Sequence, residues 1–406
     1  MKVCIFAGDY PEEVGGCYTF ANQILTALRE VQINSKHDFF LFRFCLDPIQ
    51  PIDRVTLPKP TTLIGNKLLA AARAKGNAFF LPQLRTLLRR SKFFKREYER
   101  FKLHALRQEG IHLTLSLSPT CLTTELPFIT ILWDLEHKRQ PYFPEVSLAG
   151  EWSDRENHYL SLLQRAAIVI TGTETGKAEI QQFYQVPTNR IKVLPFPTPE
   201  FSLNRPCAGQ KEILAKYSLE ENYLFYPAQF WPHKNHVALL FAVKLLRDQY
   251  NLNFPVVFAG SDKGNQSYVQ KVACELGLAA QVKFLGFVPQ ADLASLYQNA
   301  FALTYMSFFG PDNLPPLEAM ALGCPVIASR VTGAEEQMGD AALFFDLPFA
   351  DKELALAIKS LHDNPCLRQS LIERGKKRAY SWTPTDYVKG LLNILDEMEV
   401  IRRCWN

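Results

Sequence analysis

FFGPDNLPPLEAMALGCPVIAS, residues Phe308 to Ser329, reads as a loop, a helix and a strand in quick succession. Just before it, FALTY (Phe301 to Tyr305) is an apolar run of the length of a buried strand, and Pro325 to Ala328 is a second. Gly310 and Pro311 punctuate the loop between them, while Pro315 and Pro316 suit the first turn of a helix, where a missing N–H breaks no hydrogen bond. The free N–H groups and the dipole at such a helix start attract anions. One turn in, Glu318 stands among Leu314, Leu317, Ala319, Met320, Ala321 and Leu322. It is either the solvated side of the helix or a carboxylate placed to hold paired hydroxyls such as those of a ribose.

Outward from this stretch the same alternation of strand-length apolar runs and helical-period segments fills the chain, the pattern of parallel α/β layers. The first half offers strands at Val3 to Ala7, Phe39 to Phe44, Leu113 to Leu117, Phe128 to Leu132, Ile168 to Thr171 and Ile191 to Leu194. The second offers Tyr223 to Tyr226, Val256 to Ala259, Val282 to Leu285, Phe301 to Tyr305, Val326 to Ala328 and Leu343 to Phe345. Between the halves, LPFPTPEFSLNRP carries Pro195, Pro197 and Pro199, which continue neither strand nor helix, and is the linker. The expected fold is therefore α/β, with two Rossmann-like doubly wound domains, 1–196 and 197–381. A ligand cleft lies between them, outside the carboxyl ends of both sheets. The segment Ser381 to Arg402 is expected as a helix with an apolar stripe of Leu391, Leu392, Ile394 and Leu395, bent at Pro384.

A chain of 406 residues suffices for two cores, and 47% hydrophobic with 21% charged residues is globular composition. No run of eighteen apolar residues occurs, and MKVCIFAGDY reads as a first strand rather than a signal peptide. Nine cysteines, with no CxxC and no histidine cluster, argue for reduced thiols in the cytoplasm and against a disulfide framework or a metal site. A net charge of +4 is too small to imply nucleic acid. The basic residues concentrate between Lys67 and Arg107, interleaved with Phe and Leu. That segment is either a basic helical face for an anionic membrane surface or an excursion packed on its own domain with a solvated side.

The 308–329 stretch resembles the donor-site signature of the retaining nucleotide-sugar glycosyltransferases of family 4, also called group 1. Glu318 matches the second Glu of that signature, and LPPLEAMALGCPVIAS follows the rest closely. The first Glu is absent, its position being Gly310, and either Asp312 or Asn313 is expected to take over its contact with the donor sugar. The resemblance implies the GT-B arrangement, with the acceptor on the first domain, the donor nucleotide on the second, and the C-terminal helix (382–406) packed back on the first. It also implies a retaining, metal-independent reaction whose only small-molecule requirement is the nucleoside diphosphate sugar.

Further site residues follow from the same resemblance. Gly15 and Gly16, in AGDYPEEVGGCYTFANQI, match the glycine loop where acceptor and diphosphate meet, although a Gly-Gly pair is by itself a turn. At the end of the strand in ITILWDLEHKRQ, Trp133 holds the position of a family His. Asp134 is then expected to orient the acceptor or act as an electrostatic partner, and His137 to bond sugar hydroxyls, unless His137 is a plain loop residue. In YPAQFWPHKNH, Lys234 matches a Lys that grips the diphosphate, while Gln229 replaces its Arg partner. Gly260 and Ser261 are expected near a phosphate or base, and Val288, Leu293 and Leu314 beside the nucleotide, unless Val288 and Leu293 are simply core packing. Thr173 is a helix cap.

The expected activity is transfer of a hexose or deoxyhexose, mannose-like or rhamnose-like, to a glycan or lipid-linked acceptor in polysaccharide or lipopolysaccharide assembly. The enzyme would be cytoplasmic or peripheral on the inner face of the membrane. A nucleotide-sugar epimerase or a phosphorylase of the same fold is the rival within the architecture. The three departures at Trp133, Gln229 and Gly310 keep open a non-catalytic scaffold that binds nucleotide sugars.

Overall fold

The computed structural model describes residues 1–8, 15–42, 92–204, 210–348 and 350–404. Within them the expected strands form two parallel six-stranded sheets. The first holds β1 (Lys2–Phe6), β2 (Asp38–Phe42), β3 (Leu113–Ser116), β4 (Phe128–Ile131), β5 (Ile168–Thr171) and β6 (Ile191–Val193) in the order β2-β1-β3-β4-β5-β6. The second holds β7 (Leu224–Pro227), β8 (Val256–Ala259), β9 (Val282–Phe284), β10 (Ala302–Tyr305), β11 (Val326–Ser329) and β12 (Ala342–Phe345) in the order β12-β11-β10-β7-β8-β9. Helices cover both faces, so a central strand such as VVFA in β8 is buried at every residue and reads as an unbroken apolar run.

In both sheets the order reverses beside the first strand of the domain, between β1 and β3 and between β7 and β10. That reversal opens a crevice at the carboxyl ends of the strands, where ligands of such folds bind. The two crevices face each other.

Each domain has its own core, but the first is completed by the end of the chain. Tyr387, Val388, Leu391, Ile394, Leu395 and Met398 of the helix Pro384–Arg402 pack with Phe20, Ile24, Leu28 and the inner faces of β1, β3 and β4. Burial of such side chains contributes about 1.5–3 kcal/mol each before entropy is counted. Gly390 is what lets this helix lie close, since a Cβ there would sit 2.7 Å from Leu194 Cδ2. His37 Nε2 pairs with Asp396 at 2.8 Å on the same helix.

Pro384 does not bend a continuous helix, as the sequence suggested. The helix Pro365–Ala379 stops first, and Pro384 opens a new one whose Thr383 hydroxyl and Asp386 carboxylate cap each other's backbone N–H. The return crossing lies beside the outgoing linker: Trp382 Nε1 donates to Pro195 O (2.8 Å) and Thr198 Oγ1 to Ala379 O (2.7 Å). Of the basic stretch, residues 67–91 lie outside the described residues. Lys92–Gln108 is a helix whose Lys102 is buried, bonding Leu122 O at 2.7 Å and Glu99 at 2.6 Å, so this cation serves its own domain. No helix among the described residues is long and apolar enough to cross a membrane.

Candidate active site

A cavity of about 340 Å³ lies between the two crevices. The first domain contributes Gly15, Gly16, Trp133 and Phe196 to its wall; the second contributes Gln229, Lys234, Gly260, Ser261, Val288, Leu293, Asp312, Asn313 and Leu314. Residues spread over almost 300 positions of sequence thus converge on one cavity. Asp134, His137, Gly310 and Glu318 are not on the wall.

Lys234 closes a 3₁₀ turn, Pro232–Lys234, after β7; Asn235 then turns left-handed (φ 51°) into the helix His236–Tyr250. Its ammonium donates to Tyr305 Oη at 2.9 Å and Ser307 Oγ at 3.2 Å, and its carbonyl accepts from Tyr226 Oη at 2.7 Å. Tyr305 passes the chain on, donating to Asn313 Oδ1 at 2.7 Å. The cation is therefore fixed at the mouth of the second sheet, in walls that are mostly apolar, where it acts strongly on negative charge. Gln229, on the wall, accepts from Trp231 Nε1 at 3.1 Å.

The glycines have distinct causes. Gly15 holds φ 75° and opens the helix Gly16–Val31 toward the cavity. Gly260 is required by its neighbours, since a Cβ there would meet Ala228 O at 2.4 Å. Gly310 holds φ 99°, and a Cβ would fall 2.6 Å from both terminal atoms of the Asn313 side chain. The position of the signature's first Glu is thus filled by Asn313, whose Nδ2 donates to Gly310 O at 2.7 Å.

The helix after this loop runs Leu314–Leu322 with Asn313 as its N-cap. Pro315 and Pro316 occupy two of the positions whose N–H groups would have been free, and the Asn313 N–H is taken by Gln337 Oε1 (3.0 Å). The start of the helix therefore offers an anion the Leu314 N–H and the dipole, less than the sequence suggested. Asp312 lies on the cavity wall with its carboxylate already engaged. Its carboxylate accepts from Phe196 N (2.7 Å) on the linker and from Gln337 Nε2, and burial pushes it up to about 7. Glu318 is not the solvated side of its helix either. It is buried one turn behind Leu314, accepts from Tyr297 Oη at 2.7 Å, and is pushed up to about 7 by burial.

His137 departs from its expected role. After β4 the chain makes a single helical turn, Glu136–Arg139, and successive residues of a helix point about 100° apart. His137 is turned into the first-domain core, fully buried, with Nε2 3.2 Å from both Glu156 Oε2 and Tyr184 Oη. Burial holds its ring below the usual histidine value. It does not line the cavity. Asp134 is half-buried and occupied: Oδ1 accepts from Glu136 N (3.1 Å) and Arg155 Nη1 (3.2 Å). Its charge nevertheless reaches the cavity wall, adding to the burial that pushes the Cys17 thiol up to about 11.

The turn that hides His137 points Glu136 the other way, across the domain seam. Its Oε1 accepts from Gly310 N at 3.3 Å and its Oε2 from Gln140 Nε2 at 2.9 Å, so a first-domain carboxylate arrives where the signature has its own. Burial, with Asp134 nearby, pushes Glu136 up to about 7. Gln140 also donates to Phe308 O at 2.7 Å, and Glu145 bonds His233. None of these was singled out from the sequence. Their only sequence signal is that EHKRQPYFPEVS places polar side chains beyond a strand end that faces the cleft.

Residues 210–378 match the family model described as glycosyl transferases group 1. O-antigen chain mannosyltransferase B of Escherichia coli is 32% identical over 224 residues, covering 54% of this chain and 58% of that protein. O-antigen chain mannosyltransferase RfbU of Salmonella typhimurium is 31% identical over 203 residues, covering 50% and 53%. The chain thus spans about half the length of these curated relatives. Among solved structures, sucrose-phosphate synthase from Thermosynechococcus elongatus superposes with a TM-score of 0.69 at 16% identity, over 99% of this chain and 100% of that one. A structure titled WaaG, a glycosyltransferase involved in lipopolysaccharide biosynthesis, gives 0.65 at 16% identity, over 97% and 99%. At such identity the likeness is one of fold, the two Rossmann-like domains of GT-B architecture.

Proposed function

We propose that this chain, whose residues 210–378 belong to the group 1 glycosyl transferases, transfers a hexose or deoxyhexose from a nucleoside diphosphate sugar to an acceptor hydroxyl. The observation that carries the reading is Lys234: an ammonium held by Tyr305 and Ser307 in the wall of a cavity that both domains close. The two O-antigen mannosyltransferases favour a mannose-like or rhamnose-like sugar and a glycan or lipid-linked acceptor of polysaccharide or lipopolysaccharide assembly. Retention of configuration, independence of a metal, and work at the cytoplasmic face of a membrane belong to the same proposal.

The chain's own residues suit each demand of that reaction. Departure of a diphosphate needs positive potential that is already in place, and Lys234 with the start of the Leu314–Leu322 helix supplies it. Gly260 and Ser261 let phosphate or base approach the ends of β7 and β8. Gly15 and Gly16 do the same from the acceptor side. Trp133, Phe196 and Phe20 give the cavity an apolar floor that limits water, and hence hydrolysis of the donor.

A thermal-shift screen tests this. GDP-mannose, dTDP-rhamnose, UDP-glucose, UDP-N-acetylglucosamine and the free diphosphates are each added to the purified protein, since a ligand of the folded state raises the melting temperature. One nucleotide should raise it, and less so in Lys234→Ala. Equal melting with all of them would sink the proposal.

A further inference from the structure

We propose that Glu145, on the first domain, is a positioning residue for Lys234 on the second, so that the cation is set for the reaction only when the first domain is docked. The proposal rests on reading Lys234 as the group that meets the diphosphate. Glu145 lies in the short helix Pro144–Ser147, and its Oε1 accepts from both the backbone N–H (2.9 Å) and the ring Nδ1 (2.5 Å) of His233. His233 immediately precedes Lys234. Burial brings its ring down to about 4, so it is neutral and presents its Nδ1 proton to the carboxylate.

His233 in turn joins the two second-domain loops that build the site. Its ring stacks on Phe309 at 4.0 Å and 8°, and its carbonyl accepts from Phe308 N at 2.8 Å. Phe143 of the first domain wedges against the same pair, 5.2 Å from Phe308 and 5.0 Å from Phe309. Lys234 Nζ then reaches Ser307 and Tyr305 beside that loop. The other carboxylate oxygen of Glu145 is buried without a hydrogen-bond partner among the described residues, so the bonds of this side chain to the second domain run through His233. A buried carboxylate with both bonds on one neighbour costs desolvation that surface docking would not require. The arrangement is explained if its task is to fix the backbone carrying Lys234.

Glu336 provides the control. It is another carboxylate across the same seam, accepting from Glu174 N (2.7 Å) and Thr175 N (3.0 Å) rather than from the His233–Lys234 turn. The experiment compares the rate at which a small amine acylating reagent modifies Lys234, read by peptide mass spectrometry, in wild type, Glu145→Ala, Glu145→Gln and Glu336→Ala. Donor turnover is measured on the same samples. Glu145→Ala should raise Lys234 acylation about fivefold and lower kcat about tenfold, with KM for the donor changed less than about threefold, because misplacement of a charge acts on the transition state. Glu145→Gln, whose amide oxygen still accepts from His233, should stay near wild type, and so should Glu336→Ala. Unchanged acylation of Lys234 in Glu145→Ala would overturn the proposal, as would an equal rise in Glu336→Ala, which would make it a general effect of loosened domains. Where the alanine variant does not fold, Glu145→Asp, one methylene short of His233, gives the same reading at lower amplitude. A wild-type protein that turns over no nucleotide sugar would sink the transferase reading, and the acylation rates would still decide the role of Glu145.

Discussion

Replacing Lys234 by alanine removes the one cation that the described residues place on the cavity wall and leaves Tyr305, Ser307 and Asn313 in place. Two unit charges 4 Å apart attract by about 4 kcal/mol at an effective dielectric of 20, the value suited to a partly enclosed site. Part of that attraction already acts on the bound donor, whose diphosphate is charged. The growth of charge on the leaving group, and the loss of water as the domains close, put the larger part in the transition state. At about 1.4 kcal/mol for each factor of ten, a loss of 3–4 kcal/mol is a fall of about 10²–10³ in kcat/KM. The fold should barely notice: two hydrogen bonds at the rim of a cavity are worth about 1 kcal/mol each. The assay is release of nucleoside diphosphate from the donor in the presence of acceptor, beside a urea melt of the same protein. Lys234→Arg keeps the charge but presents it as a planar fork, so it should recover only part of the rate. A kcat/KM within threefold of wild type for Lys234→Ala would refute the reasoning, and a collapse of the melt would show that the residue is structural.

Restoring the missing carboxylate by Gly310→Glu should not help: a left-handed backbone at φ 99° and the collision with Asn313 cost about 1–3 kcal/mol, so the melting temperature and the rate should both fall, and a faster enzyme would contradict the structure. Tyr297→Phe removes the hydrogen bond that Glu318 accepts in the core and should cost about 1–3 kcal/mol in a urea titration. Glu318 itself predicts a pH effect. Its value is raised to about 7 from an ordinary 4.5, so the folded state holds the proton more tightly; the stability this gives is full below about pH 4.5 and is lost as pH rises through 7. Relative to Glu318→Gln, which cannot titrate, wild type should therefore lose stability between pH 5 and pH 8, and parallel urea titrations of the two proteins would refute this. His137→Gln should lower stability through its Glu156 and Tyr184 contacts while leaving the rate per folded molecule unchanged; a rate loss with an intact melt would reinstate it at the site.

Strands and sheet class were legible because parallel strands covered on both faces must be apolar throughout, and runs such as VVFA or IVIT leave no other reading. The cavity wall was legible where its residues are glycines or a lysine at strand ends, since their chemistry follows from position along one strand. What depends on the phase of a short turn was not. Glu136 and His137 are adjacent, and nothing in DLEHKRQ decides which of them faces the seam once the turn is only four residues long. Contacts between distant segments were equally hidden. The Phe196 N–H that Asp312 accepts from lies 116 residues away in the chain. The dihedral angle at Gly310, which closes that position to any side chain, depends on where Asn313 is packed. Pro384 could equally bend one helix or begin another, and the Thr383–Asp386 capping box decided for the second.

The most direct test of the central claim is turnover itself. The purified protein is given GDP-mannose, dTDP-rhamnose or UDP-glucose together with lipid-linked and free glycan acceptors; released nucleoside diphosphate is quantified and the anomeric configuration of the product is read by proton NMR. The account predicts release that depends on one donor and one acceptor, with the donor's α or β configuration kept in the new linkage. Binding of a nucleotide sugar without any acceptor-dependent release would contradict it and leave a sugar-nucleotide-binding scaffold in its place.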